Sequence, residues 1–171
     1  MSTEISAPSL TSIGFSIIEN DGNNTVTLSD SASSSNTFYY EAKRSGLRTI
    51  TNAVAITGIL SSGGAVQIDL YSVQQKTIGS TQNVSFTGVK NFTVYNLSTT
   101  EGYDFAVRAT GTNACTNLFH GGSGNLLVKP YSSFSYSDPY KGFTVSSSHR
   151  NVYLNDLGSG VSYKLIVLGL D

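Results

Sequence analysis

Apolar and polar residues alternate one by one along most of the chain, in short runs that end at Gly, Asn, Asp or Ser. A period of two belongs to strands buried on one face, and no segment repeats apolar residues at helical spacing for more than about a turn. The pattern predicts strands over Ser12–Glu19, Thr25–Leu28, Thr37–Lys43, Thr49–Thr57, Ala65–Tyr71, Asn83–Thr87, Phe92–Leu97, Tyr103–Thr110, Asn125–Lys129, Ser132–Tyr136, Phe143–Ser146, Asn151–Leu154 and Val161–Leu168. In Ala65–Tyr71, Gln67 and Asp69 fall on one side and Val66, Ile68 and Leu70 on the other, so this strand has one wet face. Leu165 to Leu168 is apolar without interruption, as a central strand covered on both faces would be. Parallel pairing needs long crossovers, which are absent, so the reading is an all-β, single antiparallel β-sandwich or jelly-roll-like domain over residues 11–171. Residues 1–10 lack periodicity and contain Pro8, which predicts an extended N-terminal arm. Its Ser2, Thr3, Ile5, Pro8 and Leu10 are candidates for laying a strand on a neighbour's sheet edge.

One local pattern occurs three times. Leu60 precedes Val66, Leu97 precedes Tyr103 and Leu157 precedes Tyr163, each across a connection rich in Gly, Ser or Thr. The expected role is a corner: the Leu closes one strand over the core, small residues reverse the chain, and the next apolar residue re-enters. The segments Leu97–Ala109 and Leu157–Leu168 resemble the tyrosine corner of immunoglobulin-like and fibronectin type III sandwiches. That resemblance implies a sandwich in which the Tyr103 and Tyr163 hydroxyls fix the reversals. It is confined to these corners, and the core Trp of those families is absent.

Composition narrows the function. Charged residues make up 12% of the chain and the net charge is −1, while Ser, Thr, Asn and Gly supply nearly half of it. No basic block exists to neutralise phosphates, which argues against nucleic acid as a partner. The 39% hydrophobic content, with ten Tyr and eight Phe, is far more than a disordered chain carries. Met1–Ser9 has neither a cationic nor an apolar leader region, so synthesis in the cytoplasm without a signal peptide is expected, and no run is long enough to predict a membrane span. Cys115 is the one cysteine and reads as a buried thiol. Sequons at Asn23, Asn83, Asn91 and Asn96 are about as many as this composition produces by chance.

Catalytic patterns are weak. Neither Gly121-Gly122-Ser123-Gly124 nor Gly158-Ser159-Gly160 fits a nucleophile elbow, and the acidic residues are dispersed, Asp69 and Asp104 sitting at solvent-face positions of strands. Glu19–Thr25 spaces oxygen ligands as a calcium loop does, but it lacks the closing Glu and lies between strands, which favours an Asp-Gly hairpin turn. No catalytic residue, cofactor or metal is therefore expected. Aromatic exposure is the better lead. Tyr131, Phe134, Tyr136 and Tyr140 lie close together before Phe143, and Asn113, Asn117 and His120 sit in the long patternless stretch from Gly111 to Gly124. These seven are the candidate binding or interface residues, for a glycan ring or a neighbouring subunit, with core packing of the rings as the simpler account.

Low charge on a β-rich chain is a hazard for a free monomer and suits a subunit whose edges are used by neighbours. The expected function is a structural assembly subunit, a virion protein of the capsid-decorating or tail-fibre kind, acting through contacts with itself and with other structural subunits at a virion or extracellular surface. A bacterial or spore-surface filament subunit and a carbohydrate-binding module are the alternatives, and no enzymatic activity is expected. If the arm carries the contacts, deleting residues 1–10 will leave far-ultraviolet circular dichroism unchanged and shift sedimentation velocity to the monomer; unchanged assembly would discount the arm.

Overall fold

The computed structural model describes residues 13–20, 25–32, 41–42, 49–77, 80–119, 122, 124–138 and 140–171. The arm residues Ser2, Thr3, Ile5, Pro8 and Leu10 and the candidate His120 lie outside the described residues. The chain divides into two compact units, Met1–Thr51 and Asn52–Asp171.

The first unit contains strands β1 (Ile13–Asn20) and β2 (Thr25–Ala32), paired antiparallel from Asn20↔Thr25 to Ile13↔Ala32. The Asp-Gly turn read between them, at residues 21–24, lies outside the described residues. The short β3 (Glu41–Ala42) and β4 (Thr49–Ile50) pair in parallel, a local exception to the antiparallel expectation.

The second unit is the sandwich. Its strands are β5 (Asn52–Leu60), β6 (Ala65–Asp69), β7 (Val73–Thr77), β8 (Ser80–Val84), β9 (Gly88–Asn96), β10 (Phe105–Arg108), β11 (Asn125–Val128), β12 (Ser133–Ser137), β13 (Phe143–Thr144), β14 (Asn151–Asp156) and β15 (Val161–Leu170). One sheet has the order β12-β9-β15-β5, with β13 continuing along β9 beyond β12; the other has the order β11-β10-β14-β6. All their pairings are antiparallel. With β7–β8 set aside as a hairpin and β12 and β13 counted as one, eight strands remain. The first pairs with the last, the second with the seventh, the third with the sixth and the fourth with the fifth, which is jelly-roll connectivity.

Alternation explains which side chains fill the space between the sheets. Val54 and Leu60 of β5, Phe92 and Val94 of β9, and Leu165 and Val167 of β15 meet Phe105 and Val107 of β10 and Val152 and Leu154 of β14 in one buried cluster. The central position expected for Leu165–Leu168 is observed. β15 lies between β9 and β5, and Ile166 and Leu168, on its other face, are buried as well. The hairpin β7–β8 differs from the expectation over its first half, because Val73-Gln74-Gln75-Lys76-Thr77 has one apolar residue and no alternation to read. A 3-10 helix over Thr116–Phe119 breaks the long stretch from Gly111 to Gly124. Replacing Leu165 by Ala should cost about 2–5 kcal/mol in urea unfolding, and a chain ended before Val161 should show no cooperative transition. Cooperative unfolding of the truncated chain would mean that β15 is not the closing strand.

Candidate functional site

The candidate aromatic residues are divided by strand parity. On β12 the side chains of Phe134 and Tyr136 turn toward the core, while Ser133, Ser135 and Ser137 face the other way, Ser135 Oγ lying 2.8 Å from Thr93 Oγ1. Phe134 stacks on Phe119 with ring centres 6.1 Å apart and meets Phe92 at 6.3 Å; Tyr136 meets the edge of Phe143 at 5.1 Å. Burial, with the Asp138 charge adding to it, pushes the Tyr136 phenol up. The two rings are core packing at the open end of the sheet. Tyr131 is 77% exposed in a turn with φ 59°, and Tyr140 is 51% exposed in a turn held by Asp138, whose Oδ1 accepts from the Tyr140 and Lys141 N–H groups. A five-residue strand, ~17 Å long at 3.3 Å per residue, separates those turns. The four rings do not form one platform.

Asn113 and Asn117 hold loops in place. Asn113 takes φ 57°, and its carbonyl accepts from the Arg150 and Asn151 N–H groups at 2.9 Å; the Asn117 amide donates to the Thr144 carbonyl at 2.9 Å. Phe119, closing the 3-10 helix, lies over Gly124 so tightly that a Cβ there would sit 2.0 Å from its ring, which is why the loop needs glycine. Cys115 is buried as expected, and burial pushes its thiol up to about 11, against a weaker pull from the Leu118 N–H, so it is a poor nucleophile.

The corners differ from the expectation in an informative way. Leu60 and Tyr163 are buried, Val66 and Tyr103 are half-buried, but Leu97 and Leu157 are 45% and 49% exposed. Parity points the preceding residue inward instead: Asn96 and Asp156 are 3% and 6% exposed and organise the reversals. Asp156 Oδ2 accepts from the N–H groups of Gly63 at 2.7 Å and Gly158 at 2.9 Å, and Oδ1 from Gly160 at 3.2 Å, tying the loop after β5 to the loop after β14. Asn96 Nδ2 donates to the carbonyls of Tyr103 at 2.8 Å and Val128 at 3.0 Å, and its Oδ1 accepts from Ser98 N–H at 2.9 Å. The Tyr163 ring lies against Gly58, where a Cβ would stand 2.6 Å away, so the tyrosine acts by packing. The signal was present as Asn96-Leu97 and Asp156-Leu157, a polar residue before each corner leucine.

Sheet edges and outer faces complete the surface. β5 pairs with β15 on one side, and no described strand pairs with its other edge; its nine residues contain no charge and no Pro, and Ile59 is 76% exposed. β11 is likewise an edge, with Leu126 39% and Leu127 52% exposed. On the outer face of the β11-β10-β14-β6 sheet, register places Asn125, Arg108, Tyr153 and Gln67 in one row and Leu127, Ala106, Asn155 and Ala65 in the next. The wet face read for Gln67 and Asp69 belongs to this surface. The rest of the row went unread because Arg108, Asn125 and Tyr153 belong to three further strands, and only the pairing brings them together.

No family model and no curated protein matches the chain. Among solved structures, the Yersinia pseudotuberculosis-derived mitogen is similar at 17% identity over 70% of this chain and 87% of that chain, with a TM-score of 0.36.

The two corner side chains are not interchangeable, since Asp156 faces only N–H donors and Asn96 faces two carbonyls. Asp156→Asn and Asn96→Asp should each lower stability by about 1–3 kcal/mol, the cost of an unmatched buried polar group. Desolvation works to raise the Asp156 carboxyl, but four backbone N–H groups, from Gly63, Gly158, Gly160 and Leu157, hold it below its ordinary 3.8. Its contribution is therefore complete above that pH and is lost as pH falls through the lower folded value. Acid unfolding curves should show this loss in the parent chain and not in Asp156→Asn; identical curves would discount the assignment.

Proposed function

We propose that this chain is a structural assembly subunit of the kind that builds a virion surface or tail fibre, joining copies of itself and neighbouring subunits through sheet edges. The observation that carries the reading is β5, an edge strand of nine residues with no charge, no Pro and no described partner along its outer side. Soluble sheets blunt such edges with Lys, Pro, bulges or short length, because an open ladder of N–H and C=O groups pairs with any strand that reaches it. β11 repeats the feature on the other sheet, short but with two exposed leucines. A subunit that adds a neighbour's strand along β5 satisfies the ladder, and the neutral surface lets like copies approach without repulsion.

A bacterial or spore-surface filament subunit would use the same edges, so the reading concerns the mode of contact first and the particle second. Edge pairing of this kind needs neither cofactor nor turnover. Ile59→Lys and Leu127→Lys place a charge at exposed positions of β5 and β11. One or both should weaken self-association at least tenfold by sedimentation equilibrium and electron microscopy, with the melting temperature of the monomer within a few degrees of the parent. A parent chain that stays monomeric at high concentration, or variants that both assemble like it, would sink the proposal.

A further inference from the structure

The outer face of the β11-β10-β14-β6 sheet carries a row of planar polar side chains around one aromatic ring. We infer that this face is a binding site for a neutral oligosaccharide, with Tyr153 as the stacking ring and Arg108, Gln67 and Asn125 as the hydroxyl-reading groups. This goes beyond the assembly reading, which rests on the sheet edges.

The row is built before any ligand arrives. Arg108 Nε donates to Asn125 Oδ1 at 3.3 Å, the Tyr153 hydroxyl donates to Gln67 Oε1 at 3.1 Å, Gln67 Nε2 donates to Asn151 Oδ1 at 3.0 Å, and Asn151 Nδ2 donates to the Thr112 carbonyl at 3.0 Å. Asn151 is buried, so the run Tyr153–Gln67–Asn151 is anchored in the loop before the 3-10 helix and Tyr153 and Gln67 lose little freedom on binding, while Arg108 and Asn125 form a separate pair beside it. Each bond uses one atom of its planar group. Beyond these bonds Gln67 and Asn125, both exposed, carry further amide N–H groups and half-buried Arg108 its terminal nitrogens, the donors that a hydroxyl would use. The Tyr153 hydroxyl reaches across to Gln67 on the neighbouring strand and so pins the half-buried ring toward β6. Four adjacent strands at about 4.8 Å spacing make the row ~14 Å long, longer than one sugar ring.

The chemistry selects among ligand classes. Sugars present vicinal hydroxyls, which planar amide and guanidinium groups read two at a time, and a C–H face, which packs on an aromatic ring. A rigid Tyr flanked by Asn and Gln supplies contact area and adaptable hydrogen bonds at low entropic cost. A polyanion would need several unpaired cations. Here Arg108 is the one cation of the row, and the ionic groups at its end, Arg150 and Asp69, face each other at 3.7 Å. An apolar peptide would need a larger hydrophobic surface than Leu127 beside buried Ala106 and small Ala65. The earlier aromatic candidates, Tyr131 and Tyr140, stand in separate turns.

A printed array of neutral and anionic oligosaccharides, probed with the full chain, tests the site. Neutral oligosaccharides should be retained. Titrating the best of them into the labelled chain, held at a concentration where it sediments as a monomer, should move the amide resonances of Arg108, Tyr153, Gln67 and Asn125, and the dilution keeps assembly out of the readout. Tyr153→Ala should lower the affinity at least tenfold with a preserved fold by circular dichroism, and Gln67→Ala, at an exposed position, provides a second variant should the first unfold; Tyr131→Ala should bind like the parent. Retention of no glycan, retention of anionic glycans alone, undiminished binding by a folded Tyr153→Ala or Gln67→Ala chain, or resonance shifts confined to Tyr131 and Tyr140 would each overturn the assignment. A chain that binds glycan normally as a monomer would leave this site standing and remove the assembly reading.

Discussion

The sandwich depends on one strand, β15, which pairs with both β5 and β9. In jelly-roll connectivity the first strand of the sandwich waits for the last, so the sheet formed by β12, β9, β15 and β5 has no middle until the chain is almost finished. Contacts this distant in sequence bear the loop-closure entropy before any packing offsets it. That is a reason for β15 to be apolar on both faces: Leu165 and Val167 fill the core, and Ile166 and Leu168 are covered on the other side. The ladder also has a defect that shapes it. Between Leu168 and Gly169 the register with β9 shifts, leaving Lys90 as the extra residue, and a Cβ at Gly169 would stand 2.1 Å from the Gly88 carbonyl. Asp138 N–H bonds the Lys90 carbonyl at 2.9 Å where β12 gives way to β13. Burial lowers the pKa of Lys90, opposed by the Asp138 charge, so the bulge ties a buried cation to the turn that follows β12.

Strands were legible where side-chain parity has a consequence and illegible where it has none. Ala65–Asp69 reads correctly because Gln67 and Asp69 on one face and Ile68 on the other give period two its full contrast, and Leu165–Leu168 reads correctly because only a central strand is apolar throughout. β7 has no such contrast. The corners show a subtler limit. The spacing from Leu to the next strand was visible, but a shift of one residue exchanges the two faces of a strand. The inward position belongs to Asn96 and Asp156, polar residues that composition alone assigns to the surface. They are tolerated inside because every corner brings backbone N–H or C=O groups that no strand can satisfy, and each side chain matches the polarity of the groups it meets.

The candidate aromatic residues are dispersed for a related reason. Proximity in sequence suggested a shared surface, yet a strand turns alternate residues away from each other and then ends in turns that point elsewhere. Phe134 and Tyr136 became core, and Tyr131 and Tyr140 were separated by the strand itself. Conversely, the row of Asn125, Arg108, Tyr153 and Gln67 draws one residue from each of four strands and leaves no trace in local sequence. A polar surface assembled by pairing becomes readable only when strand order and register are known together.

The same physics lets both proposed roles coexist in one subunit. Strand addition acts in the plane of a sheet, along hydrogen bonds that point away from an edge, whereas the Tyr153 row acts along the sheet normal through side chains. The edge β5 belongs to the sheet that does not carry the row, so pairing there leaves the row uncovered. β11 carries Asn125 and Leu127, and there the two roles meet: a neighbour added along β11 would extend the outer face by one strand beyond Asn125. Low charge serves both. It removes the repulsion that would keep like edges apart, and around Tyr153 it leaves amides, which exchange water for hydroxyls at less desolvation cost than paired ions would.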